Sequence, residues 1–117
     1  MDAPNPYPIQ QTPLTLPCGV EITILNLLVS RMLDLPGGTF VIQYRTPTEA
    51  ADMAARLSEA RELVALHQAF ADKEGLDEIR ADICETVAAA QMREPAQTRL
   101  SFCRDDAGVW TIRDTSP

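Results

Sequence analysis

The residues that could do chemistry are few and far apart. His67 is the single histidine. It falls between Val64 and Ala71, in a stretch whose apolar side chains recur every three or four residues, so it reads as a core-edge residue bonded to a neighbour before it reads as a general base. Cys18, Cys84 and Cys103 are odd in number and form no Cys-x-x-Cys pair, which supports neither a disulfide framework nor a zinc ribbon. Ser30, Ser58 and Ser101 lie in no nucleophile-elbow pattern. Gly37-Gly38 lacks the strand-loop-helix context of a phosphate cradle and reads as a C-cap. Asp105-Asp106 are two acids in a four-residue turn, short of the oxygen spacing of a calcium loop. Trp110 reads as a core or sheet-face residue before a stacking platform. The expectation is a protein with no catalytic residue, no cofactor and no metal.

Charge narrows the partners. Seventeen acidic residues against ten basic ones give a formal charge of -7, a field that repels phosphate backbones and anionic lipid heads. Nucleic acid and membrane are therefore excluded as expected partners. The carboxylates spread along presumed helix faces, several with Arg at helical spacing, such as Asp52 with Arg56 and Asp77 with Arg80, the pattern of solvated surface charge. No Lys or Arg precedes Arg31, so no charged region leads into an apolar one, and the longest apolar segment is broken by Glu21, Asn26, Ser30 and Arg31. Neither export nor membrane insertion is indicated, and a reducing cytoplasm fits the unpaired cysteines.

The elements that must position these residues follow from punctuation and period. Five prolines within residues 1–17 (Pro4, Pro6, Pro8, Pro13, Pro17) remove amide donors and hold the chain extended. Residues 1–17 are thus expected to be an arm, with Tyr7, Ile9, Leu14 and Leu16 able to strap a partner, and 18–117 a single globular domain. From Val20 to Leu35 the apolar side chains, read as a helix, sweep roughly 240° of the wheel, more than the one-sided stripe of a surface helix. Such a helix needs cover on two sides, and Leu25, Leu28, Met32 and Leu35 are the expected partner-binding residues. Pro36-Gly37-Gly38 stops it. Thr39 to Arg45 alternates like a short strand. A second helix is expected from Thr48, as N-cap, to about Glu74, stopped by Gly75, with Ala50, Met53, Leu57, Ala60, Val64 and Ala71 inward. A third is expected from Asp77 to Arg93, ended by Pro95. Thr98 to Arg113 divides around Asp105–Gly108 into a C-terminal hairpin. The predicted fold is helix-rich α+β, with about three helices, a short strand and a C-terminal β-hairpin.

From the Met1-Asp2-Ala3-Pro4-Asn5-Pro6 opening, through the apolar Ile22–Leu35 segment, to the Trp110-Thr111-Ile112-Arg113 end, the whole chain resembles the QslA-type quorum-sensing anti-activators. The resemblance implies a cytoplasmic homodimer that binds the ligand-binding domain of a LuxR-type transcription activator, occupies its dimerisation surface and so prevents DNA binding. It carries no functional residue over to this sequence. Composition and period lead by themselves to a domain that works by protein contact. Two other readings stand beside it: a small-molecule-binding or enzymatic domain with His67 and Arg45 as first candidates, and an immunity or antitoxin protein whose acidic surface masks a basic toxin.

Overall fold

The computed structural model describes residues 11–31, 34, 37–85 and 98–116, with the side chains of 114–116 left out of account. Among the described residues the chain forms six strands and one helix. The strands are β1 (Thr12–Thr15), β2 (Glu21–Ser30), β3 (Thr39–Arg45), β4 (Glu78–Ile83), β5 (Thr98–Arg104) and β6 (Trp110–Ser116), and the helix α1 (Met53–Lys73) lies between β3 and β4. All six strands join one sheet in chain order. Every neighbouring pair is antiparallel except β3 and β4, which run parallel because α1 carries the chain back across the sheet.

This corrects the helix-rich expectation with its three helices. The presumed first helix is β2. Its side chains alternate through Glu21, Ile22, Thr23 and Ile24, then the register slips by one between Ile24 and Asn26 and the alternation resumes in the opposite phase. A bulge of this kind places apolar residues on both faces of a strand, which on a helical wheel looks like an over-wide apolar arc. Ile22, Thr23, Ile24 and Val29 are β-branched and fit the pleat better than a helix. The start of the presumed third helix is β4, where Ile79, Ala81 and Ile83 alternate with Glu78, Arg80 and Asp82; its remainder, 86–93, lies outside the described residues. Of the expected arm, residues 11–17 are described. Thr12–Thr15 pairs with Glu21–Ile24, and Leu16 is buried at 2% exposure.

The second expected helix forms, four residues later at its start. Thr48 does not cap it, because its hydroxyl donates to Glu59. Asp52 caps instead, its Oδ1 accepting from the Ala55 amide at 3.1 Å. The end lies where Gly75 predicts. Gly75 takes φ +69°, while the amides of Gly75 and Leu76 donate to the carbonyls of Asp72 and Ala71 at 3.2 and 2.9 Å, the paired bonds of a Schellman ending. The C-terminal hairpin closes through Asp105, whose Oδ1 accepts from the amides of Ala107 and Val109 at 2.9 Å each, with Gly108 at φ +82°.

The core lies between α1 and one face of the sheet. Ile22, Ile24, Phe40, Ile42, Tyr44, Ile79, Ala81, Ile83, Leu100 and Phe102 meet Ala60, Leu63, Val64 and Ala71 of the helix. Burying each large aliphatic side chain contributes about 1.5–3 kcal/mol, so this single layer of contacts holds the helix to the sheet.

Candidate functional site

At its two ends α1 is fastened by polar groups, and between them one flank is left apolar and open. Near its start, Arg56 is 1% exposed. Its Nε and Nη2 donate to the Thr48 carbonyl at 3.1 and 2.9 Å, and its Nη1 to Thr98 Oγ1 at 3.1 Å. Glu59, also buried, accepts from the hydroxyls of Thr46, at 2.6 Å, and Thr48. Tyr44 lies beside this cluster, its hydroxyl without a partner among the described residues. Burial, reinforced by the Glu59 carboxylate and opposed by Arg56, raises its pKa well above that of an ordinary phenol. These groups bind the loop after β3 to the helix.

The β2 flank of α1 differs. The helix row Glu62, Leu66, Phe70 and Glu74 recurs every four residues, the spacing that lines up side chains on one helix face. Its two outer members are clasped: Glu62 Oε1 accepts from the Cys18 amide at 2.7 Å, and Arg31 Nη2 reaches the Glu74 carbonyl at 2.8 Å and its carboxylate at 3.5 Å. Its two inner members are apolar and exposed, Leu66 at 51% and Phe70 at 42%. On the sheet beside them, Leu27 and Val29 are 48% and 46% exposed. Their register partners are Ile42 and Phe40, which face the helix, so Leu27 and Val29 share the helix-bearing face. Phe40 forms the floor, its ring 5.0 Å from that of Phe70 and 5.5 Å from His67. The result is an open apolar strip with a polar clasp at each end. β1 covers only Glu21–Ile24, so among the described residues no strand pairs with the outer edge of Asn26–Ser30.

The sequence-predicted residues scatter relative to this strip. Leu25 is fully buried beside the bulge. Leu28 is half-buried and pairs with Val41, on the face away from α1. Met32 and Leu35 lie outside the described residues. Leu27 and Val29 belong to the same apolar run as the expected partner-binding residues, and Leu66 and Phe70 lie on the expected second helix outside its inward row of Ala50, Met53, Leu57, Ala60, Val64 and Ala71. The signal that finds Leu27 and Val29 is the alternation of β2 on the far side of its bulge; Leu66 and Phe70 carry no such signal of their own. His67 and Arg45 are not brought together. His67 Nδ1 meets the Leu63 carbonyl at 2.8 Å on α1, whereas Arg45 pairs with Thr23 on the opposite face of the sheet.

That opposite face is polar where the strands are most central. Gln43, Asp82 and Arg99 occupy one cross-strand row. Arg80 and Arg99 both approach Asp82 Oδ1, at 3.0 and 3.6 Å, while Asp82 Oδ2 and Gln43 Oε1 are buried without partners among the described residues. Burial raises the Asp82 pKa against the opposing pull of Arg80 and Arg99. The buried Cys84 thiol is pushed up to about 11 by burial and by the Asp82 carboxylate, which leaves it a poor nucleophile. Among the described residues, no three His, Cys, Asp or Glu side chains gather as a metal site would need, and no described helix is long and apolar enough to cross a membrane.

Comparison with protein-family models, with curated proteins and with solved structures finds no match for this chain.

Proposed function

We propose that this protein works by protein contact, seating an apolar surface of a LuxR-type transcription activator's ligand-binding domain on the strip formed by Leu27, Val29, Leu66 and Phe70, and so keeping the activator from dimerising and binding DNA. The observation that carries the reading is the strip itself. Four large apolar side chains stand roughly half exposed side by side, and contiguous exposed apolar surface on a small domain marks an interaction site. The choice of partner rests on the resemblance to the anti-activators. Charge agrees with it: a chain of charge -7 gains nothing from counterion release at phosphate and does not compete for DNA, whereas an apolar strip can take over the patch an activator uses to pair with itself.

Self-association belongs to the same reading, and the protein acts as a cytoplasmic homodimer without catalysis, cofactor or metal. The outer edge of Asn26–Ser30 offers the activator an antiparallel ladder beside the strip. The same acidic surface favours a second reading, an immunity- or antitoxin-type inhibitor that masks a basic toxin. Titration into a LuxR-type regulator, followed by size-exclusion chromatography and DNA retardation, separates the two. The regulator loses its dimer and its DNA in the first reading; a regulator that stays dimeric and DNA-bound at saturating protein rejects it.

A further inference from the structure

The other flank of α1 carries a hollow of a different kind. Arg61, Val64 and Gln68 of the helix form its wall, Phe102 and Ile112 of β5 and β6 its floor, and Trp110 closes it. Its volume is about 360 Å³, at the lower end of the range for ligand pockets, roughly 300–1,000 Å³. From Arg61 to Gln68 the helix rises by about 10 Å, at 1.5 Å per residue, so the hollow is long enough for a medium-length alkyl chain.

Its polar groups are sorted by position. At the Trp110 end they satisfy one another: Trp110 Nε1 donates to Asp72 Oδ1 at 3.3 Å, Arg104 Nη1 bonds the same oxygen at 3.0 Å, and the Arg104 guanidinium lies 6.0 Å from the centre of the indole ring. That end offers a ligand an apolar indole and no spare charge. At the opposite end Arg61 is exposed and has no hydrogen-bond or ion-pair partner among the described residues. Its acidic chain neighbours are engaged elsewhere, Glu62 with the Cys18 amide and Glu59 with the hydroxyls of Thr46 and Thr48. An unpaired cation at one end of an apolar hollow, on a chain of charge -7, selects an anionic head joined to an apolar body.

We propose that this hollow binds a medium-chain aliphatic carboxylate, with its head on the Arg61 guanidinium and its chain running over Val64, Phe102 and Ile112 to the Trp110 ring. A carboxylate meets the planar guanidinium with two parallel hydrogen bonds, and the acyl chain displaces water from the aromatic and aliphatic floor. The site is separate from the strip on the other flank and does not depend on it.

Trp110 is the single tryptophan of the chain, so its emission reports on the tail end of the site. The experiment titrates the full chain with decanoate, decanol and decyltrimethylammonium, each below its micellar concentration. Decanoate gives a saturable blue shift of the Trp110 emission and binds at least five-fold more tightly than decanol, and the ammonium compound binds more weakly than either. Arg61→Gln, at an exposed position that leaves the far-ultraviolet circular dichroism unchanged, lowers decanoate affinity about five-fold or more and leaves decanol where it was. Arg61→Lys restores most of the loss. No saturable response to decanoate, equal affinity for the three amphiphiles, or an Arg61→Gln variant that binds decanoate like the parent each overturns the proposal.

Discussion

On the β2 flank of α1, Leu66 and Phe70 stand half exposed beside Leu27 and Val29; on the β5–β6 flank, Val64 and Phe102 are each only 2% exposed and Trp110 is tied by Asp72 and Arg104. The side chains are of similar type. The sheet beneath them differs. Beyond β4 it continues through two further strands, whose side chains meet the helix flank. Beyond β3 it continues through β2 and a β1 that stops at the bulge. Apolar side chains at matching helix positions are thus core on the wide side of the sheet and surface on the narrow side. Exposure on the narrow side follows from strand length and bulge position, both local properties of the β1–β2 segment.

The largest expected effect breaks the comparison at its buried side. Val64→Lys puts a charge at a 2% exposed position of the core cluster and costs more than about 3 kcal/mol of folding free energy. Phe70→Lys loses only part of a ring contact with Phe40 and costs about 1 kcal/mol. Urea unfolding of both variants measures the contrast, and equal losses would erase the distinction between the flanks.

Next in size is the effect on partner binding. Val29→Lys leaves stability within about 0.5 kcal/mol of the parent, as surface substitutions do, but weakens binding to a LuxR-type ligand-binding domain by about 2 kcal/mol, the loss typical of an interface anchor. Isothermal titration calorimetry, with a melting curve as control, tests it; full affinity in the variant would move the interface elsewhere.

A smaller effect comes from the sheet face away from the helix. A carboxyl whose folded pKa lies above its usual 3.8 holds its proton more tightly when folded. The stability it contributes is full below the unfolded pKa and is lost as pH rises through the folded one. The difference in melting temperature between the parent and Asp82→Asn therefore moves in favour of the variant as pH rises from about 3.9, the unfolded value, toward neutrality. A difference that stays flat with pH contradicts the burial of Asp82. The smallest effect is chemical and leaves the fold intact: at pH 8 a thiol reagent labels the exposed Cys18 promptly and spares Cys84, whose thiol titrates near 11, until denaturant is added.

Parts of this architecture are legible in the sequence and parts are not, for physical reasons. The strand Thr39–Arg45, the stop at Gly75 and the turn at Asp105–Gly108 depend on signals within a few residues, and each forms as its residues dictate. Val20–Leu35 misleads because one bulged residue, Leu25, reverses the phase of an alternating strand. Glu78–Ile83 misleads because Ala81, Arg80 and Glu78 favour a helix locally, while pairing with β3 on one side and β5 on the other decides for a strand. Thr48 misleads because Glu59, eleven residues on, claims its hydroxyl. The strip inherits the first of these errors. Its two β2 members become visible as surface only when the strand is read with its bulge, and its two helix members only when the narrow half of the sheet is known.

Amide hydrogen exchange tests the central claim most directly, followed on the full chain with and without a LuxR-type ligand-binding domain. The account predicts fast exchange of the outward-facing amides between Asn26 and Ser30 in the free protein, and slowing on complex formation concentrated there and along Leu66–Phe70. Protection confined to the β5–β6 flank, or no slowing at Asn26–Ser30 when the complex forms, would contradict it.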